Sequence, residues 1–167
     1  DEFRGAGAAR ALRRKIADVC GECPGTGTLR IMEVCGSHTM AIGRSGIRGL
    51  LPERIRLISG PGCPVCVTPP GVIDAGVDLA RRGVRIVTFG DMMRVPGSSD
   101  SLAAARGDGA DVRVCYSPLE AVSLAADDPA RPVVFLAVGF ETTVAPVLSI
   151  IERARERDLD NISLLVA

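Results

Sequence analysis

The 167-residue chain has no surplus of charge, no long apolar run and only one histidine. Its 20 basic residues balance its 20 acidic ones, so the bulk charge provides no footprint for a nucleic acid or a strongly basic membrane-binding surface. The longest apolar run, Val133 to Val138, falls far short of the roughly 20 residues that span a bilayer. The opening stretch DEFRGAGAARALRRKIADVC holds no apolar region of a signal peptide. The expectation is a soluble, cytoplasmic protein with no nucleic-acid partner and no membrane partner. Neither a P-loop pattern nor G-x-G-x-x-G occurs, so a nucleotide has no special support, and no nucleophilic serine elbow is present. Nor is there an internal repeat or a low-complexity tract. Function must therefore sit in local sites.

The length suits one ordinary domain with a real core, or part of a larger protein. Six short apolar, β-branched runs read as strands: 29–34, 54–59, 84–90, 111–116, 132–139 and 161–167. Between them lie segments with helical spacing. In PPGVIDAGVDLARRG, Val72, Ile73, Val77, Leu79 and Ala80 share a face and Gly83 stops the helix. A second helix is expected from about Thr142 to Arg157. The alternation predicts an α/β fold with a mostly parallel, Rossmann-like sheet and right-handed crossovers. It is read as one α/β region over residues 1–167, with a division into two lobes left open. The last run, NISLLVA, stops in mid-strand, which suggests a piece of a longer chain.

The unusual residues fall where strands end: CGSH after the first, GPGCPVC after the second, GDMMRVPG after the third, YSP after the fourth and GFETT after the fifth. Parallel sheets collect ligands outside their carboxyl ends, so these motifs are expected to converge on one site. Turn geometry alone explains the glycines and prolines, but not Cys35, His38, Cys63, Cys66 and Glu141 on the same edge.

Cys35 and His38, three residues apart, suit a shared metal ion, although a lone histidine is also a common surface residue. Cys63 and Cys66 form a Cys-x-x-Cys before a helix, where amide donors and the helix dipole favour a thiolate. A dithiol switch, a metal-binding pair and two buried small residues all remain open for them. Adding Cys20 and Cys23 would complete a four-cysteine zinc set, but 39 residues separate the pairs, against about 15 to 20 in zinc ribbons. Cys115, inside a strand, reads as a buried hydrophobe. Glu141 either complements a helix dipole or accepts a proton or hydrogen bond beside a metal ligand. Asp91 and Arg94 read either as a loop ion pair or as an acid and a donor fork facing an anionic or cyanide-bearing ligand.

Taken together, MEVCGSHTMAI, LISGPGCPVCVTP, TFGDMMRVPGS and VVFLAVGFETT, in this order and spacing, resemble the HypD family of NiFe-hydrogenase maturation proteins. The resemblance runs from Phe3 to the last residue. It implies a scaffold on which, together with the small partner HypC, iron receives the ligands of the Fe(CN)2CO group, with cyanide arriving from HypE and HypF. It implies that Cys35 binds the iron with His38 beside it, that Cys63 and Cys66 are a redox-active dithiol, and that Glu141 lies in a family block. Met40 stands where one subgroup has histidine. The family's 4Fe-4S cluster is expected to take its ligands from a carboxyl-terminal part outside this chain. Two other function classes compete: an iron-free thiol-disulfide oxidoreductase using Cys63 and Cys66, and a binding module for the small partner using Leu50 and Leu51.

Overall fold

The computed structural model describes residues 5–167, and the chain divides into two compact units, the first ending at Cys63 and the second running from Pro64 to Ala167. All six expected strands form, each trimmed by one to three residues. The first unit contains α1 (Ala6–Glu22), β1 (Leu29–Glu33), α2 (Gly36–Ser45), a 3-10 turn (Ile47–Leu50) and β2 (Ile55–Ser59). Its two strands pair in parallel, Leu29 opposite Ile55 through Glu33 opposite Ser59, with α2 in the crossover.

Helix α1 ends without a basic residue in its last turn. Arg54 supplies the missing charge from the start of the β2 segment. Its guanidinium donates to the carbonyls of Cys20 at 2.9 Å, Cys23 at 3.0 Å, Pro24 at 3.1 Å and Gly27 at 3.0 Å. One cation thus satisfies carbonyls that a helix end leaves orphaned, and it complements the negative end of the dipole. Cys20 and Cys23 belong to this helix ending.

The second unit contains α3 (Pro64–Val67), α4 (Pro70–Arg81), β3 (Arg85–Phe89), a 3-10 turn (Gly90–Arg94), α5 (Leu102–Gly107), β4 (Val112–Cys115), α6 (Leu119–Asp127), β5 (Val133–Ala137), α7 (Glu141–Glu156) and β6 (Ile162–Val166). Its sheet is wholly parallel, in the order β4-β3-β5-β6. Ile73, Gly76, Val77 and Ala80 are the buried face of α4, while Val72 and Leu79 flank it half-buried. Pro70 starts that helix, where its missing N–H costs nothing, and Gly83 follows its end in the left-handed region at φ 90°. One side of the sheet packs Ile86, Val112 and Leu136 against α4 and α5; another cluster joins Val87, Val133 and Phe135 to α6 and α7. Each such large side chain contributes about 1.5–3 kcal/mol by burial.

The strands form two sheets, where the alternation had suggested one edge. Their burial differs accordingly. Val133, Phe135, Leu136 and Ala137 of β5 are buried, whereas the middle three residues of β1 are exposed. Strand patterning reveals that a segment is extended, but not which strands pair with it.

Candidate functional site

Cys35 sits in extended conformation at the position before α2, and its carbonyl accepts from the amides of His38 at 2.9 Å and Thr39 at 3.1 Å. The run from β2 to α3 passes through Gly60, whose place is dictated by crowding: an added Cβ would run into the Glu33 carbonyl. Cys63 follows, then the single turn of α3 with Cys66 on it, where the Thr68 hydroxyl donates to the Pro64 carbonyl at 2.8 Å.

The sulfurs of Cys35, Cys63 and Cys66 all lie within 4.8 Å of one another. Cys35 and Cys63 are half-buried and Cys66 is exposed. Thiolates bound to one tetrahedral ion at about 2.3 Å stand about 3.8 Å apart, so these sulfurs need to close in by no more than about 1 Å to share a metal. The same closeness suits exchange between a dithiol and a third sulfur. Among the described residues this is the metal-competent group that forms, and it joins the CPVC pair to Cys35 and not to Cys20 and Cys23. The four-cysteine zinc alternative is thereby set aside. His38 is exposed on the first turn of α2 and is not part of the three-sulfur group.

Glu33, which no motif marks as functional, stands beside these loops. Its carboxylate accepts from the Thr39 hydroxyl at 2.7 Å and from the Gly60 amide at 3.3 Å. The Thr39 hydroxyl, aided by Gly60, Ser59 and the charge of Arg48, holds the Glu33 carboxyl below its ordinary value. The signal available in the sequence was an acid two residues before a cysteine, too common to single out.

Asp91, Arg94 and Glu141 belong to the second unit. Chain order reverses there between β3 and β5, and the 3-10 turn after β3 and the segment after β5 flank that switch point, where open parallel sheets bind ligands. Met92 and Met93 bury the 3-10 turn's apolar side and leave Asp91 and Arg94 exposed. Among the described residues Asp91 and Arg94 form no ion pair with one another, which corrects the loop ion-pair reading. Glu141 opens α7 as expected, exposed in its first turn, where a carboxylate complements the dipole. Cys115 is 2% exposed, its thiol donating to the Thr88 carbonyl at 3.5 Å; burial and the Glu120 charge push its pKa up to about 11.

No helix among the described residues is long and apolar enough to cross a membrane. The chain matches the family described as "HypD: Hydrogenase formation hypA family" over residues 7–167. It is 52% identical over 166 residues to the hydrogenase maturation factor HypD of Azotobacter vinelandii, covering 98% of this chain and 43% of that protein. Identity to the Escherichia coli K12 hydrogenase maturation factor HypD is 52% over 134 residues, 80% of this chain and 36% of the relative. The protein of the same name in Cupriavidus necator H16 is 47% identical over 167 residues, 99% of this chain and 43% of the relative. The chain therefore spans less than half the length of the curated relatives it matches.

Proposed function

Because the chain belongs to the HypD family, whose curated relatives are named hydrogenase maturation factors, we propose that it supplies the part of a maturation scaffold that holds iron while cyanide and carbon monoxide are attached. The observation that carries this reading is the group of three sulfurs within 4.8 Å. Iron is cargo here, built into Fe(CN)2CO and passed on. Soft thiolate suits low-spin iron carrying strong-field ligands.

In this reading Cys35 is the ligand that anchors the iron, and His38 tunes or ligates it from the same turn. Cys63 and Cys66 act as the dithiol. Oxidation of the pair to a disulfide releases two electrons and two protons; reduction takes the same number back. The family's 4Fe-4S cluster, with ligands outside this chain, is the proposed one-electron partner, used twice per cycle. Asp91 and Arg94 would receive the cyanide-bearing group and Glu141 would accept a proton. HypC is the proposed small partner and HypE the proposed cyanide donor.

Complementation tests the division of labour. In a strain lacking its own copy, the full-length protein with Cys35→Ala, Cys63→Ala or Cys66→Ala should fail to mature hydrogenase, while Cys20→Ala and Cys23→Ala should support it. Maturation by all three of the first set would contradict the reading.

A further inference from the structure

Cys35 and Cys63 lie on separate segments, one leading into α2 and the other leading out of β2. Something must fix the gap between them, because the parallel ladder ends at Glu33 and Ser59, before either cysteine. One side chain spans that gap. Glu33 Oε1 accepts from the Thr39 hydroxyl at 2.7 Å, and Oε2 accepts from the Gly60 amide at 3.3 Å. Thr39 is tied to Cys35 by its own amide, which donates to the Cys35 carbonyl at 3.1 Å. Gly60 lies three residues before Cys63 and rests against the Glu33 carbonyl with no room for a Cβ. Ser59, opposite Glu33 in the ladder, is fastened in turn by Arg48, whose guanidinium donates to its hydroxyl at 3.0 Å.

We infer that Glu33 is a positioning residue: by gripping Thr39 with one carboxylate oxygen and Gly60 with the other, it sets the separation of the Cys35 and Cys63 sulfurs. It is not in the three-sulfur group and so acts through the sulfurs. The metal consequence of this inference rests on the proposed function and further requires that the Cys63 sulfur, like that of Cys35, can touch the metal; the geometric part does not.

Two readouts separate these parts. The first is Co2+ titration of the full-length protein, followed by the thiolate-to-cobalt charge-transfer band in difference spectra. Glu33→Ala and Thr39→Val should weaken Co2+ binding roughly 10–100-fold, the usual cost of losing a group that orients a ligand. Thr39→Ser, which keeps the hydroxyl, should restore it. The second readout needs no metal. Reduced full-length protein carrying Cys66→Ser, with no metal added, is treated with dibromobimane, and mass spectrometry follows the Cys35–Cys63 bridge. That bridge should form in the parent, be lost in Glu33→Ala and Thr39→Val, and return in Thr39→Ser. A lowered melting temperature with parental Co2+ affinity and parental bridging would show a purely structural role and overturn the inference. Should Cys35→Ser leave Co2+ binding unchanged, the metal reading falls, and the bridging result alone decides the role of Glu33.

Discussion

Glu33 and Gly60 meet twice: the Glu33 carboxylate accepts the Gly60 amide at 3.3 Å, and the Gly60 α-carbon packs so closely on the Glu33 carbonyl that a Cβ has no place. The pair joins the ends of β1 and β2 at the point from which both cysteine-bearing loops depart.

Gly60→Ala forces backbone apart in a tight contact, and overpacking of this kind costs about 1–3 kcal/mol. A denaturant titration should show a lower midpoint. The Co2+ titration described above should show weaker binding, because the Cys63 loop moves with Gly60. A midpoint and an affinity equal to those of the parent would contradict the account of this contact.

Asp111 predicts an acid-sensitive second unit. Burial alone would raise its pKa, but hydrogen bonds and charge from Arg85 and Arg113 win and lower it from 3.8 to about 2. Arg131 adds a further contact at 2.8 Å. A carboxylate with a depressed folded-state pKa contributes stability above its unfolded value and loses it as pH falls through the folded value. The contribution of about 2 kcal/mol is thus complete above about pH 4 and fades toward pH 2. Asp111→Asn removes the charge facing Arg85, which is only 11% exposed and keeps just its bond to the Leu124 carbonyl at 3.1 Å, at a cost of about 3 kcal/mol. Arg113 and Arg131 are 58% and 42% exposed and add little. Chemical denaturation at several pH values should show a lower midpoint and a flatter pH dependence between 4 and 2 in the variant; superimposable curves would rule this out.

Cys115 should be inert. Its thiol is buried and its pKa is pushed up to about 11, so the reactive thiolate is scarce at neutral pH. Brief iodoacetamide treatment of the native, reduced protein at neutral pH should modify Cys35 and leave Cys115 untouched by mass spectrometry. Modification of Cys115 at the rate seen after unfolding would contradict its placement.

Much of this architecture is legible in the sequence. Runs such as VVFLAVG, with no polar alternation, announce a strand buried on both sides, and Pro70 with Gly83 brackets α4 from sequence alone. The spacing of Cys63 and Cys66 and the strand-end placement of Cys35 mark the three cysteines whose sulfurs lie within 4.8 Å of one another. Pairing was not legible, because the pattern of β1 does not tell that β2 is its neighbour and β3 belongs to another sheet. The Arg54 grip on the end of α1 and the Glu33 grip on Thr39 and Gly60 were hidden for a related reason. Both depend on contacts across many residues, and single arginines and glutamates carry no periodicity to mark them.

The central claim is that Cys35 holds the iron on which the diatomic ligands are assembled. Infrared spectroscopy of the full-length protein, co-produced with the proposed partners HypC and HypE, tests it most directly. The account predicts bands of iron-bound cyanide and carbon monoxide that disappear in Cys35→Ala and persist in Cys115→Ala. Bands that survive Cys35→Ala unchanged would contradict it.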